Sequence, residues 1–320
     1  VGQTSFDVMS DDEKNTWWKN RDVEDLSPQF KERLKNFSKK TPGVINGEIQ
    51  GYFEALQENK GDILKVYTPI DAVQLVTPEA KKKSKKKINT DKGFAKDENW
   101  LIDKENSIDE QLSILLPKRC DSVEMLQSSA SSILLGEPGA GKSTCLLKIA
   151  LNYSYEWKPG KPWGLLVSLC EYTGLGIKDL LLKKLPGLDW VDIEDEIASG
   201  KITLFLDALN ECPSLYYDAC SQEIHSLITD YPNAKIQITS RISHNPTQLS
   251  LPSFELLPMG KSKQLTFLTR YLGEANAIDT LDLLYQQPNA ELIGRSPILL
   301  RIVAWVCKDG NDLPKGLVSN

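Results

Sequence analysis

The sequence has no C-x-x-C pair, only two histidines, no apolar run long enough to cross a bilayer and no excess of cationic residues. Each shortage removes a class of function. Cys212, Cys220 and His225 lie near one another, but without a C-x-x-C pair their spacing does not make a zinc site. The most apolar segment, residues 297–307, is shorter than the roughly 20 residues a membrane helix needs and carries Arg301, so no membrane segment is expected. A formal net charge of -6 favours solubility and argues against a protein that coats nucleic acid along its whole length. No internal repeat is visible, which leaves solenoids and propellers without support. Six scattered cysteines and no secretory leader lead us to expect free thiols in a reducing, cytoplasmic compartment. Val1 in place of an initiator Met, and a Leu-Pro-Lys-Gly turn just before Asn320, lead us to expect a fragment of a longer chain.

What the sequence does contain, in its 320 residues and 40% hydrophobic content, is enough material for two domains or one large one. At its centre stands Gly136-Glu137-Pro138-Gly139-Ala140-Gly141-Lys142-Ser143-Thr144, preceded by an apolar strand-like run from Ile133 and followed by a helix-like segment from Cys145 to Tyr155. This G-x-x-x-x-G-K-[ST] pattern, between strand and helix, is what a phosphate-binding loop requires. Its glycines let backbone N–H groups turn onto phosphate oxygens, and the following helix adds its positive end. Lys142 is expected on the β- and γ-phosphates and the Ser143 hydroxyl on Mg²⁺.

Before this loop, residues 1–62 form a helical leader of uncertain role. Ser27-Pro28 is a helix start, and residues 48–57 predict an amphipathic helix with Ile49, Tyr52, Phe53 and Leu56 inward. Trp17-Trp18 reads either as an exposed binding element or as an anchor for the leader. Residues 63–118 bring a strand over 63–67, a run of six lysines within 81–87 and a helix over 107–116. The lysine run reads as a solvated loop or, less simply, as a polyanion patch, but no interleaved aromatics offer a stacking platform.

After the loop, strands over 165–169, 202–206, 236–239 and 254–257 alternate with helices over 177–184 and 222–229. Such alternation predicts an α/β fold, a parallel sheet with helices on both faces, within a core spanning 119–258. The unit 165–184 is expected to place an extra strand between the phosphate loop and the next acidic motif. From 259 to 320 the pattern is helical, with helices over 264–271, 277–286 and 297–307.

Two further motifs face the loop. The apolar run Ile202–Leu206 ends in Asp207, where a Mg²⁺-linked carboxylate must stand at the carboxyl edge of a sheet. Glu211 is the nearest carboxylate able to orient an attacking water, or else a surface loop residue; Asn210 cannot take a proton. The segment Thr239-Ser240-Arg241 delivers an Arg to the same edge, where it can sense the terminal phosphate. Asn59-Lys60-Gly61-Asp62 matches a guanine-reading tetrapeptide but precedes the loop and lacks its companion motif, so it is read as a turn. His244 is read as a solvated loop residue.

Taken together, the loop, Leu-Phe-Leu-Asp207-Ala-Leu-Asn-Glu211 and Ile-Thr-Ser-Arg241 resemble the NACHT branch of the STAND signal-transduction ATPases. The resemblance extends to residues 162–169 and to Ser296-Pro297-Ile298-Leu299-Leu300, and covers roughly residues 120–320. It implies a slow ATP/ADP switch with Mg²⁺ in innate-immune or antiviral signalling, self-assembling on activation in response to an unknown trigger. It also implies Lys142, Asp207, Glu211 and Arg241 as catalytic residues, and Pro297 packed near adenine. Pro297 after Ser296 is equally ordinary helix-start chemistry. Asn210 replaces the first of the family's two acidic residues, which departs from a fast hydrolase. The alternatives are a nucleotide-dependent scaffold with vestigial hydrolysis and a nucleic-acid-linked P-loop ATPase.

Overall fold

The computed structural model describes residues 39–75, 119–287 and 289–308. The helices expected at Ser27 and over 107–116, the Trp17-Trp18 pair and the lysine run lie outside the described residues. Helix α1 (Pro42–Lys60) starts with proline at its first turn and buries Ile49 and Phe53, four residues apart on one face. Asn59 and Lys60 end it, so the guanine-like tetrapeptide is a helix end and turn.

The next segment corrects the sequence reading. Residues 63–67 do not form a strand; Ile63–Val66 is one helical turn, α2. Local bonds close it, Leu64 N–H to Gly61 O at 3.2 Å and Lys65 N–H to Asp62 O at 3.2 Å. Strand pairing begins only after Thr68-Pro69, in β1 (Asp71–Gln74). Strand β2 (Arg119–Asp121) follows, then α3 (Ser122–Ser128), capped by Asp121, whose carboxylate accepts from Val123 N–H at 2.9 Å and Glu124 N–H at 3.2 Å.

The core then runs β3 (Ser132–Leu135), α4 (Lys142–Glu156), β4 (Trp163–Ser168), α5 (Ile177–Lys184), α6 (Trp190–Ala198), β5 (Ile202–Asp207), α7 (Tyr217–Asp230), β6 (Lys235–Ser240) and β7 (Ser253–Leu256). Helices α8 (Lys261–Leu272), α9 (Glu274–Tyr285), α10 (Ala290–Arg295) and α11 (Pro297–Cys307) complete the described residues. Helices α3, α6 and α10 escape sequence reading because they are short and their apolar residues span barely two turns.

All strands join one sheet in the order β2-β1-β7-β3-β6-β5-β4. Strands β3 to β7 are parallel, while β1 pairs antiparallel with both β7 and β2. The sheet therefore extends two strands beyond β7, the strand with which the sequence pattern completes it. A strand does separate the phosphate-loop strand from the Asp207 strand, but it is β6; the earlier 165–184 unit places β4 at the sheet edge.

The alternating strand geometry divides the core in two. Ile133, Leu135, Leu204, Leu206, Ile236 and Ile238 point to one face, with Ile177, Ile193 and Ile224 of the covering helices. Leu134, Phe205, Phe254 and Leu256 point to the other, against Leu146, Phe267 and Leu300. Buried Gln237 of β6 is fully partnered: Ser132 Oγ donates to its Oε1, and its Nε2 donates to Leu126 O at 3.2 Å and Ser129 O at 2.9 Å. At the other side of the sheet, Glu223 of α7 accepts from Tyr172 Oη at 2.9 Å and from Ile177 N–H, the first residue of α5, at 2.6 Å.

Glu223→Ala leaves both of those donors without their acceptor and removes an anion from a helix start. Urea unfolding at neutral pH is expected to show a loss of about 2–4 kcal/mol, whereas Glu223→Gln should recover part of it.

Candidate functional site

Strand β3 is buried at all four positions and delivers the chain to residues 136–141. There Gly139 and Gly141 adopt left-handed φ of 73° and 100°, angles that glycine takes without strain, before α4 begins. Lys142 Nζ donates to Gly136 O at 2.8 Å and Glu137 O at 3.0 Å, so its ammonium folds back along the loop. Burial pushes the Lys142 amine below its ordinary range, and the neighbouring Arg241 cation pushes the same way; Asp207, Glu211 and Glu137 oppose them. A glycine loop at a helix N-terminus with a half-buried ammonium suits an anion.

The neighbouring strands bring the other candidates to the same edge. Register aligns Leu135 with Ser240 and Ser168 with Asp207. Thr239 Oγ donates to Asp207 Oδ1 at 2.5 Å and accepts from Ala208 N–H at 2.7 Å. Ala208 itself is left-handed, with φ of 60°, and turns the chain into a 3-10 turn over Leu209–Glu211. Glu211 Oε1 stands 3.7 Å from Arg241 Nη2. Both side chains are about half exposed, so solvent screens this pair and it contributes little stability.

The fold is that of a P-loop NTPase. Strand, glycine loop and helix stand in order, and an inserted strand separates the loop from the acidic strand in a five-stranded parallel sheet core.

A cavity of about 310 Å³ opens from the loop. Pro138, Gly139, Gly141, Lys142, Ser143, Thr144, Asn210, Glu211 and Arg241 line its polar half. The opposite half comes from elements the motifs do not reach: Thr68, Ile70, Met259, Phe267, Tyr271 and Arg301, together with Pro297. Thr68 is 5% exposed and its hydroxyl has no hydrogen-bond partner among the described residues. A polar atom in that position, beside apolar walls, suits a planar group with a hydrogen-bonding edge. Pro297 is the first residue of α11 and also lines the cavity. Ser296 occupies the N-cap position without a side-chain capping bond.

Gly136, Glu137 and Ala140 are not among the residues that line the cavity. Asp207 is set back behind Thr239 and, with Ser143, lines a second cleft that runs along α1. Ser143 belongs to both spaces, and two hard oxygen donors beside a phosphate cradle suit Mg²⁺, which takes few protein ligands and keeps phosphate or water oxygens. No cluster of three or more His, Cys, Asp or Glu side chains able to hold a metal occurs among the described residues. His244 is exposed and its Nδ1 meets Ser243 Oγ at 2.9 Å, as a solvated residue should. Nothing in the sequence pairs Thr68 with α8 or α11 at one cavity.

No family model matches the sequence, and no curated protein matches it. Among solved structures, one similar in part is Cdc6p from Pyrobaculum aerophilum, at 15% identity and a TM-score of 0.36, over 57% of this chain and 57% of that one. Strand order and loop geometry carry the fold assignment independently of that likeness. No helix among the described residues is long and apolar enough to cross a membrane.

Gly139 carries a double constraint. A Cβ there would lie 2.2 Å from Ile298 Cγ2, on a backbone that already disfavours L side chains. Gly139→Ala is therefore expected to cost about 1–3 kcal/mol in chemical denaturation and to weaken anion binding at the loop, read by phosphate-dependent thermal shift.

Proposed function

We propose that the chain is a nucleotide-dependent switch of the NACHT type, binding ATP or ADP with Mg²⁺ and hydrolysing slowly. The observation that carries this reading is the two-sided cavity: a phosphate cradle on one wall, and α8 and α11 on the other, with Ile298 of α11 seated directly on Gly139. A ligand filling both halves couples the state of its phosphates to the position of the helices. In this reading the backbone of 136–141 and Lys142 hold the β- and γ-phosphates, and Arg241 meets the terminal phosphate. Glu211 orients a water, and Thr68 and Pro297 hold the base. Ser143 and Asp207 would hold Mg²⁺, which when bound supplies charge neutralisation between the phosphates.

The expected division into a leader (1–62), a connecting region (63–118), the ATPase core (119–258) and a helical subdomain (259–320) belongs to this proposal. So do cytoplasmic signalling in innate immunity or antiviral defence and self-assembly on activation, for which the sequence resemblance is the support. A second reading is favoured by a specific contact. Glu211 faces Arg241 at 3.7 Å and Asn210 stands where an acid is expected, which suits a scaffold that binds nucleotide with vestigial hydrolysis.

Four measurements test these readings. Lys142→Ala should abolish ADP binding in calorimetry; unchanged affinity sinks the nucleotide reading. Glu211→Gln should remove at least tenfold of any turnover while leaving ADP binding in place, and a wild type with no turnover at all would favour the scaffold. Because the Lys142 amine already lies below its ordinary pKa of 10.5 and bound phosphate would raise it, affinity should hold near neutrality and fall as the pH climbs through that lowered value. Thr68→Val should lower adenine-nucleotide affinity about five- to tenfold without changing affinity for inorganic triphosphate.

A further inference from the structure

Two thiols meet beside the turn that carries Glu211. Cys212 follows Glu211 directly and closes the 3-10 turn, its N–H donating to Leu209 O at 3.2 Å. Cys220 is the fourth residue of α7, with seven residues between the two cysteines. Both belong to the core on one face of the sheet, Cys212 6% exposed and Cys220 fully buried. Their sulfurs are hydrogen-bonded to each other. The bond favours the thiolate at Cys212 and the thiol at Cys220, so the Cys220 S–H is the donor. Contact between sulfurs is the first condition for a disulfide, whose bond is about 2 Å long.

The surroundings slow the reaction of the pair at rest. Burial holds both thiols above their ordinary range, Cys220 the further, where the neighbouring Cys212 and Glu223 add to it. The thiolate is the form that attacks an oxidant, so Cys212, less far above that range and the acceptor of the hydrogen bond, is the sulfur that reacts first. The cover over it is thin. Pro213, Ser214 and Leu215 are exposed, Leu215 at 82%, and Cys212 Sγ meets Pro213 O at 3.9 Å. A bond from Tyr216 N–H to Pro213 O at 2.8 Å closes this short turn. Its opening bares Cys212 while α7, with Cys220 on it, stays packed through Ile224 and Leu227.

We propose that Cys212 and Cys220 are a peroxide-sensitive dithiol, whose oxidation to a disulfide ties the turn carrying Glu211 to the start of α7. The Cys212 sulfur attacks one oxygen of hydrogen peroxide and breaks the O–O bond. Cys212 becomes a sulfenic acid, and the other oxygen leaves as water with the thiol proton. The Cys220 sulfur then displaces the sulfenic hydroxyl, which leaves as a second water with the Cys220 proton, and the S–S bond forms. The two sulfurs together give up two electrons, and the peroxide takes them. In a reducing compartment such a bond is transient and reports on oxidant rather than holding the fold. The bond stands apart from the nucleotide reading; its effect falls on Glu211, whose N–H donates to Ala208 O at 2.8 Å within the tied turn.

Trypsin isolates both sulfurs in one peptide, residues 202–235, which contains no other cysteine. The reduced, folded chain is treated with hydrogen peroxide, its remaining thiols are blocked with iodoacetamide, and the digest is weighed. In the wild type this peptide should be lighter by two hydrogens and take no label, and dithiothreitol before blocking should restore two labels. Cys212→Ser and Cys220→Ser should each prevent that mass loss. Hydrogen exchange at the Glu211 amide should slow about fivefold or more on oxidation of the wild type and stay unchanged in Cys220→Ser. Two labels on the wild-type peptide, at a peroxide dose that consumes the exposed Cys170, overturn the proposal. So does a disulfide that forms only in unfolding urea, or one that leaves exchange at Glu211 as it was. If a serine variant does not fold, Cys212→Ala and Cys220→Ala take its place, and the wild-type peptide decides by itself. No nucleotide is present in these measurements, so a failure to bind ADP overturns the nucleotide reading alone.

Discussion

Backbone hydrogen bonds that seat β6 between β3 and β5 govern the whole carboxyl edge of the sheet. Through them Leu134 pairs with Thr239, and Leu206 pairs with Ile238. Thr239 is thereby brought level with both the phosphate loop and Asp207, and Arg241 emerges over the cavity. Parallel neighbours in a sheet are about 5 Å apart, so a single strand of spacing gives a ligand room between the loop and the acid. Gln237, one turn of the pleat below, locks the same strand to the end of α3 with both of its polar ends partnered. Burying an amide so completely is tolerable only because no donor or acceptor is left over.

Charge at this edge is balanced rather than neutral. Lys142 and Arg241 repel one another, while Asp207, Glu211 and Glu137 offset them. The Lys142 ammonium meets only two carbonyl oxygens, and the Arg241 guanidinium meets Glu211 across a screened gap. Among the described residues neither cation has a buried carboxylate partner, and an anion entering the loop would be attracted by both. Electrostatic strain of this kind is common where a site waits for charge.

The second wall of the cavity is a packing problem as much as a binding one. Helix α11 brings Ile298 so close to the loop that only glycine fits at Gly139. The same residue remains about half exposed, as do Ile302 and, more so, Trp305 along one face of α11. The helical unit is thus anchored at its inner side by Leu300, Val303 and Ala304, and touches the phosphate loop through a methyl group. A contact that shallow can be made or lost at small cost, unlike the interdigitated side chains on either face of the sheet.

The sequence by itself determined the features that depend on neighbours along the chain. Glycines at 139 and 141 can take left-handed angles whatever surrounds them, the Ile202–Leu206 run is too apolar to lie outside a sheet, and Pro297 can start a helix anywhere. Those local facts located the phosphate loop, the acidic strand and the helices α5 and α11. Only the tertiary structure decided what long-range pairing decides. It placed β6 rather than β4 beside β3, made residues 63–66 a helical turn because no strand stood beside them, and added β1 and β2 beyond β7. It also set Thr68 and Phe267 beside one cavity and bonded Thr239 to Asp207. Apolar periodicity reports which face of a segment is buried and not which segment lies against it. A hydroxyl such as that of Thr239 or Thr68 leaves no periodic trace, so its partner, or the lack of one, is visible only after the chain has folded.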